Sequence, residues 1–169
     1  RLPAWGIVYQ PLAFVLFLTC IMAENKRPPF DLPEGESEII AGYHLEYSGM
    51  RFGLFFMSEF IQIIVIAGLV ATLFLGGWSI PYLSQQTIID FIGQFFGTGF
   101  ATVACMALHF GTFMAKVVAM IWLQMQLRWT LPRFRYDQVM DLCWKIMLPL
   151  SIANILVTGL VMLIAGGRP

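Results

Sequence analysis

A chain of 169 residues with 59% hydrophobic and 12% charged side chains carries about half the charge of a soluble domain, where roughly a quarter is usual. Ten Lys and Arg balance ten Asp and Glu, which excludes a nucleic-acid surface, and 15% aromatic residues exclude a disordered chain. Cys20, Cys105 and Cys143 stand far apart without a CxxC spacing, which disfavours a disulfide scaffold, a zinc site or an iron–sulfur cluster. An integral membrane protein remains.

A membrane-crossing helix needs roughly 20 mostly apolar residues to span about 30 Å of hydrocarbon. Four stretches meet that requirement. Residues 5–23 contain no charge. Residues 52–77 hold Glu59 and end at Gly76-Gly77-Trp78, ahead of Pro81. Residues 95–127 contain His109 and Lys116, and residues 146–165 have only Pro149 near their start. The expected fold is therefore all-α: a single polytopic membrane domain over residues 1–169, with four transmembrane helices. The chain starts at Arg1 and lacks a signal-peptide pattern, so it reads as part of a longer polypeptide.

Each crossing changes sides, so loops 24–51 and 128–145 share one face and 78–94 lies on the other. Lys26, Arg27, Arg51, Arg128, Arg133, Arg135 and Lys145 fall on the first face, and Arg1 and Arg168 on the second. That bias puts the two polar loops in the cytoplasm or mitochondrial matrix. No matching pair of interrupted helices recurs in two halves, which weakens a transporter reading.

The first loop is the informative one. Pro28-Pro29 enforces an extended exit from the first span. Asp31 and Glu34 have capping-box spacing with Pro33 in the first turn, which predicts a short interfacial helix from about Leu32 to Tyr43. Glu34 and Glu38 then share a face, and Glu36 lies on another. Such acids either cap and solvate a loop or, held close together, raise one another's pKa values and exchange protons. Spacing leaves both readings open.

Glu59 and Lys116 are costly at membrane depth and should face the bundle interior or water. Each is either half of a structural ion pair or a step in a proton path, and one expectation is that the two approach each other. His109 is read as a hydrogen-bonded packing residue. The run Arg128-Trp129-Thr130-Leu131-Pro132-Arg133-Phe134-Arg135-Tyr136-Asp137-Gln138 suits anionic headgroups, an acidic partner surface, or simply the positive-inside bias.

Four motifs together closely resemble the NADH dehydrogenase subunit 1 family, the membrane subunit of respiratory complex I that builds much of its quinone chamber. They are Ala23-Glu24-Asn25-Lys26-Arg27-Pro28-Pro29-Phe30-Asp31-Leu32-Pro33-Glu34-Gly35-Glu36-Ser37-Glu38, Glu46-Tyr47-Ser48-Gly49, Leu54-Phe55-Phe56-Met57-Ser58-Glu59-Phe60 and the Arg128–Gln138 run. The likeness extends from Trp5 to the end of the chain. It implies the C-terminal half of an eight-helix subunit. One departure from the family pattern is Glu24-Asn25-Lys26-Arg27, which adds a cation beside Arg27.

By resemblance, Glu24, Asp31, Glu34, Glu36, Glu38, Glu46 and Glu59 form the proton relay. Arg27 and Phe30, with Asp31, Glu34 and Glu36, line the quinone chamber. Lys116, Arg133, Arg135 and Asp137 serve coupling or docking. The implied activity is that of one subunit of a proton-translocating NADH:quinone oxidoreductase, with quinone as substrate and no metal, flavin or other redox centre in this chain. The implied partners are the soluble iron–sulfur and quinone-site subunits, the antiporter-like membrane subunits and the bilayer, in a bacterial plasma membrane or mitochondrial inner membrane. The alternatives are the homologous subunit of a membrane-bound hydrogenase, or a secondary transporter or ion channel.

Overall fold

The computed structural model describes residues 5–26, 29–31, 46–80 and 85–166, and none of these lies in a strand. The chain opens with α1 (Gly6–Tyr9), breaks at Gln10, and resumes as α2 (Pro11–Glu24). A continuous helix was expected here. Gln10 instead has φ −138° and ψ 66°, because the Pro11 ring pushes the preceding residue out of the helical region. Pro11 itself sits where its missing N–H costs nothing. The short interfacial helix expected over 32–43 lies outside the described residues.

Helix α3 (Met50–Leu73) buries Ile63, Ile66, Ala67, Val70 and Ala71, the i, i+3, i+4, i+7, i+8 stripe of a helix with one packed face. Beyond it Gly76 and Gly77 have φ of +68° and +53°, a left-handed pair that only glycine adopts cheaply, and the chain turns away. Most of α4 (Gln85–Phe96) falls in the stretch 78–94, read from sequence as a loop. Gly97, at φ +84°, separates it from α5 (Thr98–Thr130). Helix α5 stops where Leu131 precedes Pro132.

Much of 128–145, also read as a loop, is helical. Helix α6 (Tyr136–Asp141) runs through a π-helical segment (Leu142–Met147) into α7 (Leu148–Gly166). Polar side chains there act locally: the Gln138 side chain accepts the Arg135 N–H at 3.1 Å, and Asp141 pairs with Lys145 at 2.7 Å. The Leu148 N–H reaches Cys143 O, five residues back. Pro149 has no N–H to offer the carbonyl four residues back, which favours a wider register at this point.

Three helical stretches are long and apolar enough to cross a membrane, Met50–Leu73, Gly99–Thr130 and Tyr136–Ile164, and Pro11–Glu24 is a shorter apolar one. No described side chain of α7 is buried, and Leu156 and Leu163 are 68% and 77% exposed. Apolar exposure on that scale suits a membrane-embedded protein. The chain divides into two compact units, Arg1–Tyr9 with Phe60–Gln126, and Gln10–Glu59 with Leu127–Pro169. In the second unit α2 packs on α7.

Candidate functional site

In the second unit, the chain leaving α2 turns at Asn25 and Lys26, whose N–H groups close back on Ile21 O and Ala23 O at 3.0 and 3.2 Å. Lys26 is left-handed at φ +50°, an uncommon conformation for a side chain of this kind. The following Pro29, Phe30 and Asp31 are all buried. They meet the segment after α5 at three successive points. Pro29 O accepts the Phe134 N–H at 3.0 Å, the Phe30 and Phe134 rings lie 5.5 Å apart, and Asp31 Oδ2 accepts from Arg133 Nη2 at 3.0 Å. Asp31 is 3% exposed, so its charge is viable there only with such a partner.

Phe30 and Phe134 also line an apolar cavity of about 280 Å³ together with Val15, Leu18, Met22 and Leu131. The clasp and the cavity therefore share Phe30 and Phe134, each next in the chain to a member of the charged pair. A second, more open cavity of about 520 Å³ lies at Tyr47, Arg51 and Leu54, where the Tyr47 ring leans on Phe55 at 4.9 Å.

The other expected site residues are dispersed or outside the described residues. Glu24 is exposed at the end of α2, Glu46 is exposed in the turn before α3, and Glu59 is half-buried within α3. Arg27, Glu34, Glu36 and Glu38 lie outside the described residues. Arg135 and Asp137 pair with each other at 3.3 Å, at 82% and 77% side-chain exposure, instead of joining the clasp. Among the described residues no three His, Cys, Asp or Glu converge as metal ligands.

In the first unit, Lys116 Nζ donates to Leu75 O, Gly77 O and Ser79 O at 2.8, 2.9 and 2.7 Å, and lies 4.7 Å from the centre of the Trp5 ring. The expected approach to Glu59 is not among these contacts: all three acceptors lie beyond the end of α3. His109 Nδ1 bonds to Cys105 O at 2.8 Å, within its own helix.

Sequence reading missed the backbone acceptors of Lys116, for which the only signal was the Gly76-Gly77 turn one span away. It also passed over two buried amides. Asn25 and Gln124 are 7% and 5% exposed, and their side-chain N and O atoms have no hydrogen-bond partner among the described residues. Gln124 within the apolar α5 was the available cue.

The sequence profile of the NADH dehydrogenase family matches residues 1–159. Among curated relatives, an NADH-quinone oxidoreductase subunit of Geobacter metallireducens is 49% identical over 95% of this chain and 41% of its own length. The corresponding NADH-quinone oxidoreductase subunit of Bdellovibrio bacteriovorus is 45% identical over 97% of this chain and 43% of its own. For that of Thermomicrobium roseum the figures are 49%, 96% and 40%. The chain thus spans less than half the length of these relatives.

Proposed function

Because the chain belongs to the NADH dehydrogenase family, we propose that it is the C-terminal part of the membrane subunit of a proton-translocating NADH:quinone oxidoreductase. Four crossings, over residues 5–23, 52–77, 95–127 and 146–165, hold loops 24–51 and 128–145 on the cytoplasmic or matrix side. Quinone is the substrate, reduced by electrons from an iron–sulfur subunit, and antiporter-like membrane subunits receive the coupled signal. The relatives' names support the quinone enzyme over a hydrogenase-type subunit or a lone transporter, and their bacterial sources favour a bacterial plasma membrane.

The observation that carries the reading is the clasp: a buried carboxylate, Asp31, held by Arg133, next in the chain to Phe30 and Phe134, which line an apolar cavity. That pairing of apolar space with fixed charge is what a hydrophobic carrier with a polar head requires. In this role Phe30 and Phe134 exclude water beside the pair, and Arg133 fixes where the acidic loop begins. Glu24, Asp31, Glu34, Glu36, Glu38, Glu46 and Glu59 hold and pass protons from the loop toward the membrane arm. Arg27 steadies the loop, and Arg135 and Asp137 face partner subunits. Each charge moved against the membrane potential is worth about 2.3 kcal/mol per 100 mV, a step that neighbouring acids of graded affinity are able to supply.

The test replaces Glu36 or Glu59 by Gln in the complete subunit within the assembled complex, measuring quinone reduction and proton pumping together. Assembly should survive while both rates fall several-fold. Wild-type rates in both variants would refute the relay.

A further inference from the structure

Past Leu73 the backbone leaves the helix while still joined to a long apolar segment. Six successive carbonyls, from Phe74 to Ser79, then depend on donors from outside the helical ladder, since unsatisfied backbone is not tolerated at membrane depth. Phe74 O accepts the Ile7 N–H at 3.0 Å. Gly76 O accepts the Ser79 N–H at 3.0 Å and the Ser79 hydroxyl at 2.8 Å. Trp78 O has the Thr112 hydroxyl at 3.5 Å, although that hydroxyl lies closer to His109 O, at 2.8 Å. The remaining three carbonyls, Leu75, Gly77 and Ser79, all accept from Lys116 Nζ.

We infer that Lys116 is a fixed cation whose work is to satisfy this turn, and that it carries no proton in turnover. An ammonium has three N–H donors and no acceptor, so the three carbonyls use the whole group. Carbonyl oxygens offer no site to receive a proton at ordinary pH, and the face of Trp5 at 4.7 Å favours a group that stays positive. The acceptors continue from the C-terminal end of α3, where the helix dipole is negative. Losing the charge would weaken three hydrogen bonds at once and loosen the segment that Gly6 and Gly76 pack so closely. A Cβ on Gly6 would stand 2.7 Å from Leu73 O, and one on Gly76 would stand 2.8 Å from Trp5 Cδ1. Lys116 is therefore a positioning residue for the turn, outside the acid relay proposed above and independent of it.

The experiment uses the complete subunit in its membrane complex. Lys116→Met should lower the amount of assembled complex at least about tenfold, as expected when several carbonyls lose their donor. The fraction that assembles should keep the wild-type proton-to-electron ratio. Lys116→Arg, whose guanidinium stays charged at every working pH, should assemble and translocate with the wild-type ratio. Wild-type assembly of Lys116→Met would overturn the inference, and so would a Lys116→Arg complex that reduces quinone without moving protons. If neither variant assembles, Lys116→Ala supplied with methylammonium during assembly decides: recovery supports a fixed cation, and no recovery overturns it.

Discussion

At the clasp a cation meets a carboxylate, whereas at the α3 turn a cation meets only neutral carbonyl oxygens. Arg133 and Asp31 cancel each other and leave a locally neutral join between segments 102 residues apart. Lys116 keeps its charge and spends its three donors on one short piece of backbone. The two arrangements tolerate loss differently. Removing one member of the buried pair strands a charge, while removing Lys116 strands several dipoles. Only the clasp contains a group able to accept a proton, which is why function is proposed there and an anchoring role at the turn.

The contrast is open to attack by substitution. After the Lys116 variants, the largest effect is expected from Arg133→Ala, at about 3–5 kcal/mol, the cost of leaving a buried partner unpaired. Thermal unfolding of the assembled complex, read with Asp31→Ala and the double variant, should give a double mutant less damaged than the sum of the two singles. Simple additivity would mean that the pair does not interact. Gly6→Ala comes next, at about 1–3 kcal/mol, because the obstructing atoms are the backbone of Leu73 and Phe74 and have little room to retreat. Accelerated proteolysis near residues 5–9 would accompany the loss, and an unchanged melting temperature would argue against tight packing there. The smallest effect belongs to Asp137→Ala. Its pair with Arg135 is exposed on both sides, so stability should shift by no more than about 1 kcal/mol and less in high salt. A larger, salt-independent change would show that the pair is covered in the complex.

Much of the helical content was legible because it depends on local features: long apolar stretches, and Pro or Gly where a helix must stop. Two of the misreadings share one cause. Polar residues were equated with loop, so α4 and α6 were passed over, although Gln138, Asp141 and Lys145 stabilise helix through neighbours three and four residues away. Pro11 was not weighed within the first span, although it expels Gln10 from the helix. At the candidate site, Asp31 and Arg133 were each singled out, but nothing in either motif said that they meet. Lys116 was flagged by its depth and by the resemblance, but its acceptors are backbone atoms, which carry no residue identity to read.

Composition and the spacing of apolar residues were sufficient, without coordinates, to specify a helical protein embedded in lipid and its turn at Gly76-Gly77. Those properties follow from interactions within a few residues. The partners of Asp31 and Lys116 were settled only by tertiary structure. Bringing Asp31 to Arg133, or Lys116 to the carbonyls after α3, requires closing loops of tens of residues, and the desolvation that makes each pairing matter exists only once the chain has packed around it.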